Sequence, residues 1–330
     1  MGDPAAFGEG AGKLAAPGGP PAEPRAWRRA VLRIAGSALF LALLLWLVPL
    51  DQLARAFRRI PVPVWGLALG GYLGLHLIGV AKWRFLMRVA GADLPFSRAL
   101  RCYYSGLFGN TFLPSVVGGD LVRATLALRL GGPPSGVLTG SLVDRFVDVL
   151  GLAALAGAGA LLAPSALDER SRAVFAGVAA LLSIAAASLG LALWILPASR
   201  VPGAVRRRLR GAQRSLATLA DRPSALGIAL VGAVALQTLL VVLNAALAKA
   251  MAVDVPFTTW LFVWPLAKIA ALLPITLGGI GVRETAQVAL LAPFGVPLVD
   301  AVAVGLAFQA VVVGSGLVAG AIALILGRTA

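Results

Sequence analysis

Two eleven-residue stretches combine residue types that an apolar chain has little reason to place together. Leu113–Arg123 reads LPSVVGGDLVR and Leu273–Arg283 reads LPITLGGIGVR, agreeing at Leu, Pro, both glycines, Val and Arg. Pro114 and Pro274 end an incoming helix, because proline removes an N–H and clashes with the preceding turn. Gly118, Gly119, Gly278 and Gly279 permit a tight turn and close backbone approach. A helix restarting after each turn then carries Arg123 or Arg283 near its first turns. Free N–H groups at a helix start together with a guanidinium fork suit a phosphate, and two such ends brought together suit an anionic headgroup. Each motif also has a purely structural reading: Gly-Gly with Pro can simply kink a tightly packed helix, and Arg123 can simply pair with Asp120 or Asp144.

The elements that must position these residues follow from composition. With 59% hydrophobic and 13% charged residues, and apolar runs of about twenty residues recurring along the chain, the sequence describes an all-α polytopic membrane protein. Residues 1–30 are rich in Gly, Pro and Ala and lack an apolar period, so they read as a disordered cytoplasmic tail; they do not resemble a signal peptide. About six full crossings are expected, near residues 34–49, 63–81, 136–163, 172–197, 223–249 and 299–326. Arg25, Arg28, Arg29 and Arg33 place the N-terminus in the cytoplasm, and Lys82, Arg84 and Arg88 mark the cytoplasmic end of the second span. Arg55, Arg58 and Arg59 fall on the outer side against that rule, as an interfacial amphipathic helix would explain. Residues 198–222, with Arg200, Arg206, Arg207, Arg208, Arg210, Arg214 and Arg222 against Asp221, read as a basic cytoplasmic loop touching anionic headgroups.

Counting sides then constrains the two motifs. Residues 97–130 must enter and leave from the inside, and residues 258–294 from the outside, so each motif sits at the tip of a re-entrant helical hairpin. Half-repeats of about 31–163 and 172–326 with opposite orientation form the inverted repeat in which broken segments meet near the bilayer midplane at a substrate site. Irregular backbone at that depth must be buried in protein or line a wet cavity. Ionisable residues inside a membrane are costly and usually functional, which singles out Asp144, Arg145 and Asp148. Asp144 and Asp148 share a helix face at i, i+4, where they would neutralise the motif arginines or hold a proton. Glu284 beside Arg283 has the same two readings. Tyr103 and Tyr104 read as interfacial anchors, and Gly316-x-x-x-Gly320 as a helix-packing motif.

Other chemistry is excluded or disfavoured. A single Cys102 forms no internal disulfide, no Cys/His cluster offers a metal site, and the single His76 in an apolar helix reads as a packed or hydrogen-bonded imidazole. No phosphate-binding loop, nucleophile elbow or dinucleotide fingerprint is present, so no cofactor and no ATPase are expected, and transport would be passive or driven by an ion or the membrane potential. The net charge of +15 does not indicate nucleic-acid binding, since no aromatic residues interleave with the clustered arginines. An excess of 25 arginines over four lysines suits a bacterial, GC-rich source.

The stretches SGLFGNTFLPSVVGGDLVRATLALRL, LVDRFVDVLGLAAL and LLPITLGGIGVRETAQVALL, in this order, resemble the lysylphosphatidylglycerol synthase transmembrane-region family, also described as flippase-like, over roughly residues 31–326. The chain departs from the family pattern at Ser115, where Gly is favoured. The resemblance implies a translocase that moves a phospholipid between leaflets; the paired arginine motifs add the expectation of an anionic or phosphate-bearing cargo, a phospholipid or polyprenyl-phosphate type, and the composition that of a bacterial inner membrane. It carries site roles onto Asn110, Pro114, Gly118, Gly119, Asp120, Arg123, Asp144, Arg145, Gly278, Gly279, Arg283 and Glu284. Some relatives carry a fused aminoacyltransferase domain. This sequence ends at Ala330 without one, so the expectation is a non-enzymatic protein with, as a further partner, a separate lipid-modifying enzyme. The rival readings are a membrane-embedded enzyme that modifies a lipid headgroup, with Asp120 or Glu284 as acid or base, and a scaffold for such an enzyme.

Overall fold

A computed structural model describes residues 50–112, 118–162, 203–271 and 281–328. The expected tail over 1–30, the spans near 34–49 and 172–197, and the hairpin-tip residues Pro114, Ser115, Pro274, Gly278 and Gly279 lie outside the described residues. The described chain is helical: α1 Leu50–Arg58, α2 Val62–Val89, α3 Phe96–Phe112, α4 Gly118–Arg129, α5 Pro134–Leu162, α6 Gly203–Ala220, α7 Pro223–Ala250, α8 Phe257–Ala270, α9 Val282–Leu291, a 3-10 turn Ala292–Phe294 and α10 Leu298–Arg328.

Proline sets several of these starts. Pro61 and Pro256 sit in extended backbone just before α2 and α8, while Pro223 opens α7, positions where the missing N–H costs nothing. Four helices, α2, α5, α7 and α10, are long and apolar enough to cross a membrane. At 1.5 Å per residue they reach roughly 42–46 Å, beyond the ~30 Å hydrocarbon core. Leu67, Leu138, Leu161, Ile228, Val231 and Leu324 stand exposed along them, as a lipid-facing surface requires. The helices α3, α4, α8 and α9 have 17, 12, 14 and 10 residues, so each reaches about 25 Å or less and falls short of that core.

The order long, short, short, long occurs twice, in α2–α5 and in α7–α10. The packing is reciprocal: α3 lies against α4 and against α10 of the other quartet, while α8 lies against α9 and against α5 of the other quartet, and the two leading helices α2 and α7 pack together. Small residues allow these approaches. A Cβ on Gly159 of α5 would lie 2.6 Å from the Phe262 backbone nitrogen in α8, and Cβ atoms on Gly316 and Gly320 of α10 would run into Thr111 and Phe108 of α3. The Gly316-x-x-x-Gly320 spacing therefore serves helix packing, as read from the sequence.

The structure departs from the sequence reading in three places. The second span does not stop at residue 81. It continues to Val89, and Lys82 is buried at 5% exposure instead of marking a cytoplasmic flank; two facing carboxylates make its burial tolerable. The basic stretch forms a helix over Gly203–Ala220 that lies against α5, with Ser215 and Leu219 buried and Arg210 and Arg214 exposed. An apolar flank with a packing partner stabilises a helix where the charge density alone suggested a loop. Tyr103 and Tyr104 are buried in a core cluster between α2, α3 and α4, not set at an interface; the Tyr104 hydroxyl donates to the Leu73 carbonyl at 2.9 Å, which satisfies it without water. By contrast α1 is the expected amphipathic helix, with Leu53 and Ala56 buried and Asp51, Gln52, Arg55 and Arg58 exposed.

Candidate functional site

The first hairpin is built by close backbone contact. The Asn110 side chain in the last turns of α3 accepts the Gly119 N–H at 3.0 Å, satisfying one of the orphan donors at the start of α4. A Cβ on Gly119 would stand 2.1 Å from the Gly106 carbonyl oxygen, so only glycine fits where α3 and α4 touch. One turn onward, Arg123 is 5% exposed. Its Nη2 lies 2.8 Å from Asp144 Oδ2 and 3.2 Å from Asp120 Oδ1, and its guanidinium carbon sits 5.2 Å from the Trp83 ring centre and 5.3 Å from that of Tyr103, within cation–π range.

The acids that hold Arg123 hold other cations as well. Lys82 Nζ lies 2.7 Å from Asp144 Oδ1 and 2.7 Å from Asp148 Oδ1, so the i, i+4 pair on α5 grips one ammonium from α2. Arg145 Nη1 lies 3.6 Å from Asp120 Oδ2. Three cations and three carboxylates from α2, α4 and α5 thus form one interlocked network. A buried charge without such partners would be prohibitive in this setting.

The second hairpin repeats the device with different residues. Gly281 precedes α9 at φ 88°, a conformation glycine adopts without a Cβ penalty, and its N–H donates to Glu284 Oε2 at 2.6 Å. Arg283 Nη2 lies 2.6 Å from Glu284 Oε1 and also donates to Gln309 Oε1 of α10. Its guanidinium carbon sits 5.5 Å from the ring centres of Trp264 and Phe308. Glu284 is fully buried, with Gly305 leaving room for its methylenes. Each hairpin therefore presents an arginine bound to buried carboxylate and flanked by two aromatic rings.

Between the hairpins lies a cavity of about 200 Å³. Asn110, Gly119, Asp120, Arg123 and Arg145 line it from the first quartet, and Arg283 and Lys268 from the second. Asp144 and Glu284 stand behind the wall and hold the arginines, while Gly118 is buried at the start of α4. The structure thus gathers nine of the residues singled out from the sequence into one site; the remaining three, Pro114, Gly278 and Gly279, fall outside the described residues. His76 also lines the cavity, and its Nδ1–H donates to the Tyr72 carbonyl at 2.7 Å, the hydrogen-bonded role read from the sequence.

Several site residues were not anticipated: Lys82, Lys268, Gln237, Gln309 and the rings of Trp83, Tyr103, Trp264 and Phe308. Two of them carried a usable signal. Lys82 and Lys268 are two of only four lysines in the chain, and a lysine within an apolar helix is costly enough to mark a site.

No curated protein matches the chain. Residues 31–320 match the family described as Lysylphosphatidylglycerol synthase TM region. With its spanning helices and its charged cavity, this chain is a multi-pass membrane protein belonging to that family, one associated with lipid modification or translocation.

Proposed function

We propose that the protein is a lipid translocase that moves an anionic or phosphate-bearing lipid between leaflets of the bacterial inner membrane, with its N-terminus in the cytoplasm and no catalytic step of its own. The observation that carries this reading is the cavity of about 200 Å³ walled by two arginine-bearing hairpins among four long apolar helices. Hydrocarbon disfavours charge so strongly that a polar chamber at this place is best explained by a charged cargo. Short helices that fall short of the membrane thickness, in two quartets with reciprocal packing, support hairpins dipping from opposite faces toward a shared midplane site. In such an arrangement a headgroup would pass through the chamber while its acyl chains stay in lipid. Asp144 and Glu284 hold Arg123 and Arg283 in place, so these guanidiniums present fixed donors that need no reorganisation when a phosphate arrives.

The test is reconstitution in liposomes with a fluorescently labelled anionic phospholipid, following its loss from the outer leaflet. Wild type is expected to move the lipid well above the protein-free rate, and Arg123→Ala or Arg283→Ala to bring movement back to that baseline. Absence of movement with several lipids and an imposed proton gradient sinks the translocase. Chemical conversion of a lipid by the purified protein in detergent would replace it with the enzyme reading.

A further inference from the structure

The charges around the cavity do not cancel. Lys82, Arg123 and Arg145 are matched by Asp120, Asp144 and Asp148, and Arg283 is matched by Glu284. Lys268 of α8 remains. It lines the same cavity, yet its Nζ reaches only the neutral Gln237 Oε1, at 2.9 Å, and among the described residues no carboxylate lies within ion-pair distance of it. The hairpin-tip stretches 113–117 and 272–280 contain no charged residue, so they cannot supply the missing anion. Among the described residues the chamber is thus left with one surplus cation, Lys268.

We propose that Lys268, with Gln237 at its side and Arg145 across the cavity, is the seat for a lipid headgroup carrying one net negative charge, of the phosphodiester type. This deepens the translocase reading and rests on it for the lipid's passage, though not for its binding. The physical reason is selective neutralisation. A surplus ammonium in a low-dielectric chamber is relieved by one negative charge, is left unrelieved by a net-neutral zwitterion, and is over-compensated by a dianion. Arg123 and Arg283 already have their charge neutralised by internal acids, so they offer donors without surplus charge, whereas the Lys268 ammonium has donors free for a phosphate oxygen and no acid beside it. Arg145, with its side chain 36% exposed and its carboxylate partner at 3.6 Å, is the other cation able to turn toward a ligand.

The experiment reads binding separately from movement. The full chain, purified in nanodiscs of mixed phosphatidylglycerol and phosphatidylcholine, is analysed for retained lipid by native mass spectrometry. Wild type is expected to prefer phosphatidylglycerol by about tenfold or more, the scale of one hydrogen bond to a charged group. Lys268→Gln should abolish the preference and Lys268→Arg should keep it. Gln237→Glu, which sets a built-in carboxylate beside the ammonium with little change of shape, should abolish it as well. No preference in wild type, or a preference that both Lys268→Gln and Gln237→Glu leave intact, overturns the proposal. Displacement of the lipid by millimolar inorganic phosphate also overturns it, assigning the site to a soluble anion. Preference without lipid movement in liposomes would remove the translocase and leave the seat standing; movement without preference would do the reverse.

Discussion

At the scale of single residues, the energetic logic rests on Asp144. It is fully buried and bridges Arg123 and Lys82 at 2.8 and 2.7 Å. Asp144→Asn leaves two buried cations short of a partner, and a loss of about 3–5 kcal/mol of stability is expected. Arg145→Ala breaks a longer pair with a partly exposed side chain and should cost about 1 kcal/mol or less. Thermal unfolding of the purified variants in detergent checks both, and an Asp144→Asn protein as stable as wild type would show that the network is not what holds the hairpin to α5. The sequence exposed the acids of this network but not their full set of partners. An i, i+4 pair of aspartates is visible in one helix, whereas the lysine that sits between them comes from another helix 62 residues earlier than Asp144.

At the scale of elements, the question is how α3–α4 and α8–α9 enter the membrane. Re-entrant hairpins return to the side they came from. Asp93 and Gly131, which flank the first, should lie on the cytoplasmic face; Asp254 and Gly295, which flank the second, should lie outside. Single cysteines introduced at these four positions in a Cys102→Ser background, probed in intact cells with a membrane-impermeant thiol reagent, should be silent at 93 and 131 and reactive at 254 and 295. Labelling that separates 93 from 131 would mean that the first hairpin crosses completely. Within the first hairpin, Gly119→Ala places a methyl against the Gly106 carbonyl oxygen, and overpacking of about 1–3 kcal/mol follows, read as a lower melting temperature. The Gly-Gly motif was legible in the sequence because glycine is the residue that close backbone contact demands. That the contact is with Gly106 was not, since nothing in local spacing marks the facing glycine.

At the scale of the whole molecule, each hairpin leans on the other half of the chain, α3 on α10 and α8 on α5. Thr111 and Gly316 mark that seam: a Cβ on Gly316 would stand 3.1 Å from the Thr111 Cβ, so a parting of the helices by under about 1 Å brings the pair into the roughly 3.5–4.5 Å that a disulfide spans. A Thr111→Cys, Gly316→Cys pair in the Cys102→Ser background should oxidise to an intramolecular link, seen as a reducible mobility shift on a denaturing gel. If the hairpin must move for a lipid to pass, oxidation should stop translocation and reduction restore it. Failure of the pair to cross-link with an oxidant would contradict the packing of the two quartets described above.

The sequence by itself determined the membrane class, the four long helices that lie among the described residues out of about six expected spans, the two Gly-Gly-Arg motifs and most of the charged cluster. These rest on local properties: apolar run length against the thickness of hydrocarbon, proline and glycine as breakers, and the cost of charge among apolar residues. Only the tertiary structure decided which charges cancel. Along the chain Lys82 looks like a flanking charge, but in the bundle it sits between two carboxylates of α5, and Lys268 stands out only because every other cation of the cavity has an acid beside it. Charge balance is a property of distances between helices, falling off with separation in space and not along the chain, and that is why the surplus on Lys268 emerges from the packed bundle alone.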